Sequence, residues 1–122
     1  MENSYLSFVK QNGRQLSEIN PGSEEIALDI KNALKALELL KENQIAVLGG
    51  DILTEENDEL IYAYQLWGGE YQYLNWYCDQ NPNESDEEYL QRSYAKSIEG
   101  ISDAVKIADK FRAKCYIVFV TA

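Results

Sequence analysis

Carboxylates are the most numerous ionisable side chains of this chain, and twelve of them lie between Glu42 and Glu88 without a single Lys or Arg. The same stretch contains both tryptophans and five of the nine tyrosines. Residues 1–41 carry five bases and six acids, and residues 89–122 carry six bases and three acids, so the net charge of −10 arises in the middle of the chain. Such a segment favours a basic partner, and it opposes binding to nucleic acid or to an anionic membrane.

The residue types argue against catalysis. The chain has no histidine, which excludes Ser-His-Asp and Cys-His catalysis and the usual histidine-containing zinc sites. A carboxylate pair for glycoside hydrolysis remains available, but no spacing singles out two of the acids. The Gly49-Gly50-Asp51 step lacks both the Lys-Ser/Thr of a P-loop and the three glycines of a dinucleotide-binding loop. We therefore predict neither an enzyme nor a bound cofactor.

A calcium site is the main metal alternative, because five acids lie close together in sequence. Their spacing lacks the loop glycine and the twelfth-position glutamate of an EF-hand, so a solvated acidic loop over Thr54–Glu59 and no metal is the prediction. The five acids are Asp51, Glu55, Glu56, Asp58 and Glu59.

Two glycine pairs, each followed by an acid, are predicted to bend the chain. Gly49-Gly50 interrupts an apolar strand that begins at Ile45, which indicates a β-bulge. Gly68-Gly69 separates Leu60–Trp67 from Glu70–Asp79, and this spacing predicts a two-residue hairpin turn. Asp51, at the first bend, would then orient an arginine of a partner or bond to local backbone amides.

The predicted hairpin register places Ile61 opposite Trp76 and Ala63 opposite Leu74 on a face that suits the core. The other face collects tyrosines, and it is a wet binding face if helices cover only one side of the sheet. If helices cover both sides, those tyrosines are core residues. The tyrosines are Tyr62, Tyr64, Tyr71, Tyr73 and Tyr77.

Two helices and a last strand complete the predicted elements. Ser23 is a suitable N-cap for an amphipathic helix over Glu24–Lys41. Ser85 and Glu88 form a capping-box pattern that begins a long helix through Phe111, and Cys115–Val120 is predicted as a buried central strand. The fold class is α+β in the order α-β-β-β-α-β, with one mostly antiparallel sheet of about four strands on two main helices.

The chain length suits a single domain over residues 1–122. Its N-terminus lacks the pattern of a secretory signal, and no apolar run is long enough to span a membrane, so we predict a cytoplasmic protein. In that compartment Cys78 and Cys115 are expected to be reduced, buried side chains.

Four short segments carry a resemblance to a known family: the helix Ala33–Leu40, the stretch Ile45–Leu53 with its Gly-Gly-Asp step, the strand Asn75–Tyr77 and the capped helix with Glu88–Leu90. On the basis of these segments and of Trp67, residues 26–98 resemble the immunity proteins of bacterial polymorphic-toxin and contact-dependent-inhibition systems. The resemblance implies a cytoplasmic protein without catalytic activity, which binds a cognate toxin domain and blocks or distorts its active site. It does not fix the chemistry of the toxin.

The acidic and aromatic segment and the resemblance agree on a basic toxin domain, such as a nuclease, as the partner. A small enzyme or ligand-binding domain that uses carboxylates near Asp51 is the alternative. A module that binds some other basic protein fits as well, and an exposed tyrosine face would also suit a homodimer. The predicted partner-binding residues are Asp51, Glu55, Glu56, Asp58, Glu59, Tyr62, Tyr64, Trp67, Glu70, Tyr71, Tyr73, Asp79 and Glu84.

Overall fold

The computed structural model describes residues 3–122 of the chain. Its helices are α1 (Ser4–Asn12), α2 (Ile30–Glu42), α3 (Ala63–Trp67) and α4 (Asp86–Phe111), with short 3₁₀ helices at Leu16–Glu18 and Gly69–Leu74. Its strands are β1 (Arg14–Gln15), β2 (Ile26–Asp29), β3 (Val47–Glu56), β4 (Glu59–Tyr62), β5 (Trp76–Tyr77) and β6 (Tyr116–Thr121).

These strands form one antiparallel sheet in the order β1-β2-β6-β3-β4, and β5 pairs with β3 beside β4. The predicted strand Cys115–Val120 is confirmed as β6, which lies between β2 and β3. The α+β class and the antiparallel sheet are confirmed too. The sheet exceeds the predicted four strands because it also includes β1, which is only two residues long, and β2, which was predicted as the start of a helix. The predicted strand Glu70–Asp79 is reduced to β5.

The three long helices cover one face of the sheet. Val9 of α1, Leu40 of α2 and Ile101 of α4 share one buried cluster with Ile52 and Ile117 of the sheet. We call the opposite face of the sheet the open face. It carries only a smaller buried cluster, which lies under the 3₁₀ helix that begins at Leu16. The described part of the chain, residues 3–122, therefore leaves part of one face of the sheet without a covering layer.

The long helix α4 is confirmed from its first residue to its last. The Ser85 side chain accepts a hydrogen bond from the Glu88 N–H, and the Glu88 carboxylate accepts one from the Ser85 N–H, which is the predicted capping box. Gly100 does not interrupt the helix. Its role is to leave room for a tryptophan, because an added Cβ would lie 2.6 Å from Cε3 of Trp76.

The start of α2 was predicted wrongly. Residues Ile26–Asp29 form β2 and pair with β6, so the helix begins only at Ile30. Asp29 is the N-cap, because its carboxylate accepts a hydrogen bond of 2.9 Å from the Asn32 N–H. Ser23 accepts only a local bond from the Glu25 N–H. Pairing with a distant strand thus overrides a helix-like spacing of apolar residues.

Replacing Asp29 with alanine should lower the free energy of unfolding by about 1 kcal/mol, because the first turn of α2 loses its capping acceptor. Urea denaturation measures the effect. The matched control is Ser23→Ala, which removes the predicted cap and should change the stability by less than about 0.5 kcal/mol. A larger loss in the Ser23 variant would contradict this assignment of the helix start.

The predicted hairpin around Gly68-Gly69 is wrong. Ala63–Trp67 is the helix α3 and Gly69–Leu74 is a 3₁₀ helix, so Ile61 does not oppose Trp76 and Ala63 does not oppose Leu74. Ile61 pairs with Thr54 instead, and Trp76 pairs with Gly50. Ala63 and Trp67 are four residues apart, a spacing that suits one helical face as well as it suits the predicted strand.

The true hairpin joins β3 to β4, in the stretch that was predicted as an acidic loop. Its two turn residues, Asn57 and Asp58, both have positive φ angles, of 53° and 67°. Asparagine and aspartate tolerate this conformation, and two such residues match the twist of the flanking strands.

The irregularity predicted at the first glycine pair is confirmed. The register of β3 against β6 shifts between Val47 and Gly49. The backbone N–H of Val47 donates to the buried Ser93 hydroxyl of α4 at 3.2 Å, which satisfies a donor that the ladder leaves out. Cys78 and Cys115 are buried and unpaired, as predicted.

Candidate partner-binding site

The tip of the β3–β4 hairpin gathers most of the predicted acidic residues. Glu56 pairs with Glu59 across the ladder, and both side chains are exposed beside the turn residue Asp58. Glu55 lies one residue further along β3, on the open face. The structure therefore brings four predicted site residues to one end of the sheet, Glu55, Glu56, Asp58 and Glu59.

Bases from both flanks of the sequence neutralise part of this tip. Arg14 forms an ion pair with Glu55 and donates to the Asp58 carbonyl at 2.7 Å, and the Lys114 ammonium lies 3.4 Å from Glu55. The Tyr116 hydroxyl also donates to Glu55, and this bond, with Lys114 and Arg14, holds the pKa of Glu55 below its usual range. The segment Glu42–Glu88 contains no base of its own, but folding brings Arg14 and Lys114 into contact with it.

A second base fixes the loop between β5 and α4. The Arg92 guanidinium binds both carboxylate oxygens of Glu84, at 2.7 and 2.8 Å, and donates to the Asp79 carbonyl at 2.6 Å. Its hydrogen bonds are the main reason that the pKa of Glu84 falls to about 2. Glu84 is thus occupied within the chain, whereas the Asp79 side chain is exposed.

The segment that replaces the predicted hairpin forms a packed aromatic cluster at the end of α4. The Trp67 ring stacks on Phe111 with centroids 5.6 Å apart, and Tyr71 meets Phe111 edge-on at 5.5 Å. Trp67 is only 8% exposed, so its position gives no support to a role in partner contact. Tyr73, at 65% exposed, and Glu70 lie on the outside of this segment.

The open face of the sheet carries the remaining predicted residues. Asp51 lies on this face, on the same side of β3 as Leu53, and Tyr62 pairs with Leu53 from β4. The ring of Tyr62 lies 6.1 Å from that of Tyr64. The register also brings Tyr77 of β5 and Val120 of β6 to either side of Gly49.

Two carboxylates on this face have no partner within the described chain. Residues 3–122 give neither Asp51 nor Glu25 a side-chain hydrogen bond or an ion pair. Burial raises the pKa of Asp51, and burial together with the nearby Asp51 charge raises the pKa of Glu25. The pKa of Tyr62 rises for the same reasons, burial first and then the charges of Asp51 and Glu25. This is a half-buried negative region, and no cation of the described residues is paired to it.

Sequence reasoning missed Glu25 and Val120 as parts of this region. It placed Glu25 in the first turn of a helix, and it treated Val120 as a core residue of a buried strand. Their approach to Asp51 depends on the pairing of β2 with β6 and of β6 with β3, for which the sequence holds no local signal. Tyr77 lies on the opposite face from Trp76, as predicted, but the strand that holds them pairs with β3 and the predicted hairpin and its tyrosine face do not form.

A model of the family described as Immunity protein 40 matches residues 15–121, which is most of the chain. The chain belongs to this family. A search of curated proteins and a search of solved structures gave no significant match. Immunity proteins neutralise toxins, so membership confirms at family level the resemblance seen in the sequence.

For a member of the Immunity protein 40 family, the enzyme alternative has little structural support. That alternative predicts a pocket lined by Tyr and Trp around Asp51, whereas Asp51 lies on an open sheet face. A groove of about 490 Å³ lies instead between α2 and α4, on the other side of the sheet, where Leu34 and Ile98 line it. Immunity proteins generally act by binding rather than by catalysis.

The described residues of this family member were also searched for metal-binding groups and for membrane-spanning helices. Among residues 3–122, no three His, Cys, Asp or Glu side chains group in a way that could hold a metal ion, so the calcium alternative gains no support. Within the same residues, no helix combines the length and the apolar character needed to cross a membrane.

Proposed function

We propose that this protein neutralises a cognate toxin by binding directly to a toxin domain with a basic surface. The observation that carries the proposal is the match to Immunity protein 40 over residues 15–121. The net charge of −10 and the exposed acids of the middle segment favour a basic partner. A nuclease is one class of toxin with such a surface, because it must attract phosphates.

Charge and aromatic area would contribute to different steps of binding. Exposed acids at the hairpin tip, such as Glu56 and Asp58, would speed association by long-range attraction. Tyrosines would slow dissociation, because they bury a large area with little loss of rotamer freedom. Glu55 and Glu84 would shape the surface rather than pair with the toxin, since each already binds a cation of the chain.

The proposal places the protein in the cytoplasm, in a polymorphic-toxin or contact-dependent-inhibition system. The unpaired thiols of Cys78 and Cys115 fit a reducing compartment. The gene next to that of the protein is the first place to look for the toxin.

The test combines the purified protein with the toxin domain encoded beside it. We expect a stable complex, loss of toxin activity, and an association rate that falls about tenfold as the salt concentration rises from about 50 to about 500 mM. Glu56→Gln with Asp58→Asn should slow association, whereas the control Asp103→Asn, on the exposed side of α4, should not. Absence of a complex, or a complex in which the toxin stays active, would overturn the proposal.

A further inference from the structure

Within residues 3–122, no element covers one half of the open face, whereas the other half is covered. The 3₁₀ helix at Leu16–Glu18 and the Arg14 side chain lie over the half that contains Leu53 and Tyr116. On the other half, Tyr77 is 78% exposed and Val120 is 38% exposed. We call this uncovered half the open patch. It comprises Glu25, Asp51, Tyr77 and Val120, with the buried Gly49 at its centre and Tyr62 at its border with the covered half.

The strand at the centre of the open patch carries no side chain at Gly49. Gly49 lies between Tyr77 and Val120 in the register of the three strands and contributes no side chain. A side chain is excluded there, because a Cβ on Gly49 would collide with the Trp76 carbonyl. Gly49 is itself buried, so the accessible surface at this point consists of Tyr77 and Val120 on either side of it.

The charges on the open patch differ from those elsewhere in the acidic segment. Arg14 and Lys114 neutralise Glu55 at the hairpin tip, and Arg92 neutralises Glu84. Asp51 is half-buried on the same face of β3 as Gly49, and no base within residues 3–122 pairs with it. A half-buried carboxylate without a cation destabilises the isolated protein, and an incoming cation would relieve that cost.

The same charges discriminate between possible occupants. A second copy of this chain would bring its own Asp51 and Glu25 against the first pair, which is repulsive in a partly desolvated interface. A partner with a lysine or arginine would complement both carboxylates, and Tyr62 and Tyr77 offer aromatic faces to the cation. Charge complementarity therefore favours a basic partner over self-association.

We propose that the open patch is the central contact of the toxin complex, and that it receives a lysine or arginine side chain of the toxin beside Asp51. The inference rests on the proposed function and goes further, because it assigns the energetic centre to the sheet face and a peripheral role to the hairpin tip. The toxin segment that carries the cation lies across the exposed side chains of Tyr77 and Val120.

The test compares matched pairs of variants for affinity to the toxin domain. Asp51→Asn and Tyr77→Ala should each raise the Kd by about tenfold or more, as expected for central contacts. Their controls are Glu59→Gln and Tyr73→Ala, which remove an exposed acid and an exposed tyrosine outside the patch and should change the Kd by less than about threefold. Equal effects in the two sets would overturn the inference.

A double-mutant cycle identifies the cation. Each lysine and arginine of the toxin is replaced by alanine and tested against the wild type and against Asp51→Asn. One replacement should weaken binding to the wild type by about tenfold and have almost no effect in the Asp51→Asn background. Purely additive effects for all toxin cations would mean that none of them pairs with Asp51.

A stability measurement separates binding from folding. Because the pKa of Asp51 is raised by folding, the folded state binds a proton more readily than the unfolded state. The free energy of unfolding therefore falls as the pH rises through the raised pKa. Asp51→Asn lacks this penalty and should be at least as stable as the wild type near pH 7, although it binds the toxin less well. A variant that loses both stability and binding would indicate a structural role instead.

Three outcomes distinguish this inference from the proposed function. If the wild type does not bind the toxin, the proposed function fails. If the wild type binds and both patch variants bind equally well, only the inference fails. If gel filtration shows a dimer that Tyr77→Ala dissociates, the patch binds a second copy, which also overturns the inference.

Discussion

Replacing Trp76 with alanine should lower the free energy of unfolding by about 3–5 kcal/mol, the largest effect that we expect for any single substitution. The indole is 6% exposed and lies against Gly50 of β3 and Gly100 of α4. It also meets the edge of Phe119, with centroids 6.4 Å apart. Alanine would leave a cavity between the sheet and its longest helix, and urea denaturation would measure the loss.

The adjacent residue of β5 supplies the control for Trp76. Tyr77 points to the open face, and Tyr77→Ala should change the free energy of unfolding by no more than about 0.5 kcal/mol. Trp76→Phe is informative as well, because the Trp76 Nε1–H has no acceptor within residues 3–122, so this change removes ring volume without removing a hydrogen bond. A similar loss for Trp76→Ala and Tyr77→Ala would contradict the faces assigned to β5.

Gly100→Ala should destabilise the protein by about 1–3 kcal/mol through overpacking. Helix propensity alone predicts the opposite, a gain of about 1 kcal/mol for this change in a helix interior. The sign reverses because the new Cβ would lie 2.6 Å from Cε3 of Trp76, and the backbone around both residues is fixed by the core. Thermal or urea unfolding decides between the two signs.

A nearby exposed position and a smaller ring test the cause of that loss. Ser102→Ala, on the exposed side of α4, should leave the free energy of unfolding unchanged or raise it by up to about 0.5 kcal/mol. In a Trp76→Leu background, Gly100→Ala should cost less than it does in the wild type, because the ring that it meets is absent. If Gly100→Ala lowered the free energy of unfolding equally in both backgrounds, the contact with Trp76 would not be the cause of the loss.

The parts of the fold that were predicted correctly have local signals. The capping box at Ser85 and Glu88 and the apolar stripe that follows are sufficient to define α4, and a β-branched, apolar run defines β6. The elements that were predicted wrongly depend on distant residues. Ile26–Asp29 continues the apolar spacing of α2 but forms a strand, because β6 lies beside it.

The hairpin was misplaced because two turn signals competed. Gly68-Gly69 is a common turn pair, yet Asn57-Asp58 forms the turn, since both residues adopt positive φ angles between two strands that pair. The charge of the candidate site could not be predicted from the sequence for the same reason, since it depends on residues that are distant in the chain. Nothing in the segment Glu42–Glu88 indicates that Arg14, Arg92 and Lys114 approach it, because folding alone brings them there.

The place of β6 in the sheet sets an order of events during synthesis. Both neighbours of β6, β2 and β3, precede it in the chain, and the paired residues Leu28 of β2 and Ile117 of β6 are 89 positions apart in sequence. Such long-range pairing slows folding, since a large loop must close before the contacts form. Until residues 116–121 leave the ribosome, β2 and β3 have no strand to join them. Val120 arrives with β6, so a nascent chain that ends before it has no complete open patch, and under the binding mode that we propose it could not yet hold a toxin.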